Sequence, residues 1–158
     1  MERQFTRLDL VRKVLDDELK QIKDEEVKRC AYVHLYGVGQ MAAFLTMRRG
    51  YDRKLAEIAE IAGMLHDFAK YVYDVEENHA EKSADYAKEI LSNIPVFSEK
   101  EINQIYCAIY NHSNKKEVGN FFDEILKDAD EMQHYFRNPM EEYFFLKGRT
   151  QRLFKELL

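Results

Sequence analysis

The sequence predicts an all-α protein, a helical bundle that forms a single domain. Its 158 residues suit one domain, because hydrophobic cores usually stay undivided until well beyond ~200 residues. Only 6 Gly and 2 Pro are present, about 5% of the chain against an average near 12%, which disfavours turn-rich β architectures. Hydrophobic residues make up 46% of the chain and include 10 Phe and 10 Tyr. This composition supplies a core and excludes a disordered chain.

Three helices are predicted in the first half of the chain. Thr6 begins the first helix, whose apolar positions recur at helical spacing. These positions are Leu10, Val11, Val14, Leu15, Leu19 and Ile22. The second helix covers about residues 24–49 and ends at Gly50, a residue that easily takes the left-handed conformation common after a helix. Asp52 then caps a third helix, whose apolar face is predicted to continue without a break over residues 55–69.

Capping signals predict where the next helices begin. A loop is expected over residues 71–78, and Asn78 is followed three positions later by Glu81. This is the capping-box pattern, in which the first side chain binds the backbone of the first turn and the glutamate binds back. Ser98 and Glu101 repeat the pattern, so we expect a helix to begin after each capping residue.

Two further helices are predicted in the C-terminal part of the chain. They cover about residues 121–136 and 140–157, and Asn138-Pro139 separates them, since a proline keeps the preceding residue out of the helical region. We expect the chemistry-bearing residues to lie within a core over residues 24–136. The helix over residues 140–157 would complete the one domain, which spans residues 1–158.

Composition also predicts where the protein works and what it does not bind. No apolar run approaches the ~20 residues of a membrane-spanning helix, and the N-terminus lacks the apolar segment of a secretory signal. Cys30 and Cys107 both lie on apolar stripes and are expected to be buried thiols of a reducing compartment. The 24 basic and 29 acidic residues are interleaved, which gives little support for a surface that binds a nucleic acid duplex. We therefore expect a cytoplasmic protein without a membrane or duplex partner; its oligomeric state is left open.

Histidines and acids are predicted to converge inside this bundle. A single inward-facing histidine is more often a packing residue than a ligand. Several imidazoles and carboxylates buried together are costly unless a cation satisfies them, so the group as a whole indicates a metal site. Its members lie on inward faces or at the start of the predicted helices: His34, His66, Asp67, His79, His112 and Asp130. His134 lies outside the apolar face of its helix and is expected on the surface.

The order of these residues resembles the HD superfamily of metal-dependent phosphohydrolases. That family carries a His, then a His-Asp pair, then a distant Asp on successive helices, and the matching residues are His34, His66-Asp67 and Asp130. The resemblance implies an all-α bundle of the HD-domain type in which these four residues hold one metal ion. Asp128 is the weaker candidate in its motif, because the ligand of the family directly follows the alanine.

Two more histidines complete a two-metal site in some branches of that family, and here they are His79 and His112. The resemblance implies that they hold a second ion together with Asp67, which would bridge the two ions. A ligand set of nitrogen and oxygen without thiolates suits a divalent transition metal: Fe, Mn, Co, Ni or Zn. Two such ions would clamp a phosphate and share a hydroxide that attacks phosphorus.

The resemblance therefore implies a hydrolase that cleaves a phosphate ester or anhydride of a nucleotide or related small molecule. Asp67 is its first catalytic candidate. Lys70 is the second, since it lies one turn beyond the His-Asp pair and could stabilise phosphoryl charge, although a solvated lysine is an equal alternative. Lys115, Lys116 and Arg137 could bind further phosphates, but for them a solvated role is favoured.

Alternatives from other classes remain open. The chain is distantly similar to a branch that cleaves diadenosine tetraphosphate, especially in the spacing between His112 and Asp130. The segment between Asp67 and His79 is shorter than in that branch, so this substrate is one option within the family. An HD-type di-iron oxygenase could use the same ligands. A non-catalytic module that binds a nucleotide and regulates a partner would also keep them.

Overall fold

The computed structural model describes residues 5–142 and 147–158, and within these ranges the chain forms helices and no strand. The helices are α1 (Arg7–Leu19), α2 (Glu25–Arg48), α3 (Arg53–Leu65), α4 (Phe68–Tyr73), α5 (His79–Ser92), α6 (Glu99–Asn111), α7 (Phe121–Arg137) and α8 (Gly148–Leu157). The prediction of an all-α fold is confirmed. Over the same ranges, no helix combines the length and the apolar character needed to cross a membrane.

Several predicted helix boundaries are confirmed by hydrogen bonds. The Thr6 side chain accepts from the backbone N–H of Asp9, whose carboxylate accepts in return from the Thr6 backbone. Ser98 and Glu101 form the same reciprocal capping box before α6. Gly50 follows α2 with a φ of 84°, the left-handed conformation that glycine adopts without steric cost.

The predicted third helix is interrupted, so one continuous helix over residues 55–69 is not formed, although Ala59, Ala62, His66 and Ala69 of its predicted face are all buried. Helix α3 ends at Leu65, and α4 begins at Phe68. Asp67 lies between them with φ −112° and ψ 23°, outside the helical region. Because of this break, the Asp67 carboxylate is directed by a turn and not by the regular 100° step of a helix.

Two other boundaries differ from the predictions. Asn78 takes a left-handed conformation with φ 55° and makes no side-chain capping bond, so its capping box with Glu81 does not form although α5 begins there as expected. The described part of the last helix starts at Gly148, later than the predicted residue 140. Residues 143–146 of that prediction lie outside the described residues.

Cys30 is half-buried and Cys107 is exposed, which corrects the expectation of two buried thiols.

A close contact between α2 and α3 positions the candidate site. A Cβ atom added to Gly63 of α3 would lie 2.6 Å from both Cα and N of Gly39 in α2, so the two helix backbones touch. Helix α7 packs on the same pair of helices. The core between the helices is apolar and includes Leu35, Ile61, Leu65, Ile105 and Met132. His34 of α2 and His66 at the end of α3 are therefore brought together by backbone packing.

Candidate metal centre

The structure brings together all six of the residues predicted as metal ligands. Six helices contribute, α3 and α4 through their junction, and four of the six residues lie at helix boundaries. They are His34 in α2, His66 and Asp67 at the junction of α3 and α4, His79 at the start of α5, His112 at the end of α6 and Asp130 in α7. The distant segments of the sequence thus meet at one point.

Four of these residues form a first donor group. Nε2 of His34 lies 3.2 Å from Nε2 of His66, and these two atoms lie 3.4 Å and 3.5 Å from Oδ1 of Asp130. Oδ2 of Asp67 is 3.6 Å from each of the two imidazole nitrogens. Neighbouring ligands bound to one ion at ~2.1 Å lie about 3.0–3.5 Å apart, so the spacing suits one metal ion.

A second donor group forms around the other oxygen of Asp67. Oδ1 lies 3.4 Å from Nε2 of His79 and 3.2 Å from Nε2 of His112. The two carboxylate oxygens of Asp67 therefore face two different pairs of imidazoles. This arrangement could hold two ions on either side of one carboxylate, which is the bridging arrangement that the resemblance implies.

Hydrogen bonds fix the orientation of the four imidazoles. Each one places its Nδ1 against an oxygen that can only accept, so the proton is on Nδ1 and the Nε2 lone pair faces the donor groups. The pairs are His34 with Gln133 at 2.6 Å, His66 with Gly63 at 2.7 Å, His112 with Ile109 at 2.6 Å and His79 with Glu76 at 3.0 Å. Gln133 was missed by the sequence reasoning, because a glutamine next to a metal ligand carries no motif signal.

The donor atoms are poorly satisfied by the protein itself. Within the described residues, Oδ1 of Asp67 and Oδ1 of Asp130 are buried and make no hydrogen bond. Oxygen lone pairs therefore face nitrogen lone pairs at short range, which is unfavourable without a cation between them. The residues present thus fit a metal ion both in spacing and in their unmet need for positive charge.

Charge states also suit metal binding. Burial acts to raise the pKa of Asp130, but the Lys115 ammonium together with the imidazoles of His134 and His66 outweighs burial and holds that pKa well below its usual range. Complete burial lowers the pKa of His66, which keeps this imidazole neutral. Burial also acts against protonation of His34, yet Asp67 and Asp130 raise its pKa. Ionised carboxylates and a neutral imidazole are the forms that bind a metal ion.

Two lysines lie beside the donor groups in different ways. Nζ of Lys115 is 2.6 Å from Oδ2 of Asp130, and its side chain is only 27% exposed, so the favoured expectation of a solvated lysine is wrong. Nζ of Lys70 is 3.9 Å from Oδ2 of Asp67, and its side chain is 34% exposed. Asp128 is buried against Arg49 and Arg149, away from the donor groups, which agrees with the choice of Asp130.

The expectation that His134 is a surface residue is wrong. Its side chain is 23% exposed, and its Nε2 lies 3.3 Å from Oδ1 of Asp130. Its ring centroid is 4.8 Å from that of His34. The i, i+4 spacing of Asp130 and His134, which brings side chains together on a helix, was the signal that could have found it. All 5 histidines of the chain therefore lie in this cluster.

Comparison with known proteins agrees with this geometry. The model of the HD domain family matches residues 31–137, a span that exceeds half of the chain and contains every donor residue described above. No curated protein and no solved structure matches the chain significantly.

Proposed function

The chain belongs to the HD domain family, whose members are generally metal-dependent phosphohydrolases, and we propose that it hydrolyses a phosphate ester or anhydride of a small molecule, with a nucleotide as the expected substrate. The observation that carries this proposal is the arrangement around Asp67. Its two oxygens face separate pairs of imidazoles at 3.2–3.6 Å. A carboxylate placed in this way suits a pair of ions that act on one phosphate.

The ligand assignment follows from the distances. His34, His66, Asp130 and Oδ2 of Asp67 would hold the first ion, whereas His79, His112 and Oδ1 of Asp67 would hold the second. Divalent ions at such a site polarise a phosphoryl oxygen and lower the pKa of bound water. Because the neighbouring imidazoles hold the pKa of Asp67 well below its usual range despite burial, this carboxylate suits the bridging role better than the role of proton acceptor.

The two nearby lysines would have different roles. Lys115 already pairs with Asp130 at 2.6 Å, so we assign it the role of positioning that carboxylate. Lys70 is more exposed and makes only a loose contact of 3.9 Å with Asp67. Its ammonium is available to bind a phosphoryl oxygen and to stabilise charge that develops during cleavage.

A phosphate-release screen tests the proposal. The purified protein is stripped with chelator, loaded separately with Fe²⁺, Mn²⁺, Co²⁺, Ni²⁺ or Zn²⁺, and assayed on nucleoside mono- and diphosphates and on dinucleoside polyphosphates, including diadenosine tetraphosphate. We expect release with at least one metal and substrate, and loss of release in Asp67→Asn. Phe136→Ala, an exposed position on α7, is the control. Absence of release in every combination, or oxygen-dependent turnover without release, would overturn the proposal.

A further inference from the structure

His134 is the one histidine that the two donor groups above do not use. It lies one helical turn after Asp130 on α7, so the two side chains point to the same side of the helix. Its Nε2 lies 3.3 Å from Oδ1 of Asp130, the same oxygen that faces His34 and His66. His134 therefore approaches the first donor group from the side of α7.

The distances are those of a further donor to the same ion. One donor atom each from His34, Asp130 and His134 lie within 4.8 Å of one another. Two ligands of one ion with bonds of ~2.1 Å lie at most about 4.2 Å apart, and adjacent ones about 3.0–3.5 Å apart. The contact between His134 and Asp130 falls in the adjacent range. The donor atoms of His34 and His134 lie no more than 4.8 Å apart, close to the limit for two ligands of one ion.

We propose that His134 is a direct ligand of the first ion, through Nε2. This inference rests on the metal centre in the proposed function, but not on its phosphoryl chemistry. The first ion would then have three imidazole nitrogens and two carboxylate oxygens from the protein, which leaves less room for substrate there than at the second ion. Three imidazoles also favour a transition metal over Mg²⁺, which prefers oxygen ligands.

A second role for the same contact is a hydrogen bond in which Nε2–H of His134 donates to Asp130 without touching the ion. The two roles place the imidazole proton differently. If His134 binds the ion through Nε2, its imidazole proton is on Nδ1. If His134 instead donates a hydrogen bond to Asp130, the proton is on Nε2. Only the first role adds an imidazole to the ion, so counting the bound imidazoles separates the two.

The experiment loads the protein with Co²⁺ and records proton NMR spectra. Each ligated imidazole gives one exchangeable N–H signal shifted strongly by the paramagnetic ion. We expect five such signals from the wild-type protein, one for each of its 5 histidines, and four from His134→Ala. We also expect the variant to bind Co²⁺ at the first position at least ~10-fold more weakly, as for lost ligand-sphere contacts. His134→Gln, which keeps a group able to donate to Asp130, should likewise give four signals and serves if the alanine variant does not fold.

The outcomes distinguish this inference from the proposed function. Four signals in both the wild type and the variants would overturn the role of His134 as a ligand and leave the two-ion centre intact. Full Co²⁺ affinity in His134→Gln would overturn it as well. A wild-type spectrum without shifted imidazole signals would overturn the metal centre itself. Phe136→Ala, on the same helix and exposed, should match the wild type in both measurements.

Discussion

Replacing Lys115 by methionine should destabilise the metal-free protein much more than the metal-loaded protein. In the metal-free protein, Lys115 is the ammonium 2.6 Å from Asp130, whose side chain is only 7% exposed. Removing one partner of a fully buried ion pair costs about 3–5 kcal/mol. Because the Lys115 side chain is 27% exposed, solvent screening reduces this, and we expect a loss of about 2 kcal/mol. A bound divalent ion takes over the neutralisation of Asp130, so the loss should fall below about 1 kcal/mol in the loaded protein.

Urea unfolding of the wild type and of Lys115→Met, each with chelator and with saturating Co²⁺, measures both losses. In thermal unfolding, a loss of 2 kcal/mol corresponds to a midpoint lowered by about 4–8 °C for a chain of this size. By linkage, a metal that rescues stability must bind the variant more tightly, by about fivefold or more. Lys116→Met changes the next residue, which is exposed, and controls for the loss of a lysine in this loop. Equal destabilisation with and without Co²⁺ would refute the reasoning.

Three further predictions concern the donor groups and a remote ion pair. Asp67→Ala should lose both ions in elemental analysis, whereas His112→Ala should retain one; two retained ions in Asp67→Ala would contradict the bridging assignment. Lys70→Ala should keep its metal content while turnover falls by about 10² or more, the scale of one lost electrostatic stabiliser, and unchanged turnover would make this lysine a solvated residue. A hydrogen bond from Arg7 lowers the pKa of Glu101 from 4.5 to about 2, so this pair stabilises the fold fully above about pH 4.5 and loses its effect as the pH falls towards 2. In urea unfolding, the free energy of unfolding of Arg7→Met should fall less than that of the wild type as the pH decreases through that window. An identical pH dependence of the two proteins would contradict the stabilising role of this ion pair.

Helical periodicity predicted most of the site, because most of its residues obey it. His34 and Asp130 lie on inward faces that the spacing of apolar residues indicated. Periodicity failed at Asp67, because the chain breaks between α3 and α4 although neither proline nor glycine stands at residues 66–67. It failed at His134 for a different reason. An apolar stripe identifies the face that packs on a hydrophobic core, whereas His134 faces a polar cluster.

Lys115 illustrates what a single sequence does not contain. It lies in the segment between α6 and α7, where no periodic pattern predicts the direction of a side chain. Its contact with Asp130 arises because that segment folds back over α7, which is a tertiary event. The N-terminal boundaries, in contrast, were predictable because Thr6 and Asp9 satisfy each other within one turn.

Gly63 determines both how closely α2 and α3 pack and how the imidazole of His66 is oriented. Its missing side chain lets α3 touch α2 at Gly39, and its carbonyl oxygen receives the Nδ1 proton of His66 at 2.7 Å. A methyl group at this position would therefore have two effects. It would force α2 and α3 apart, and it would move the Gly63 carbonyl oxygen that orients the His66 imidazole. The donor atoms of His34 and His66, 3.2 Å apart, therefore depend on the distance between the two helix backbones as well as on the rotamers of the two imidazoles. The donors held at this contact are imidazole nitrogens, which suit a transition metal with bonds of ~2.0–2.2 Å, whereas Ca²⁺ takes oxygen ligands.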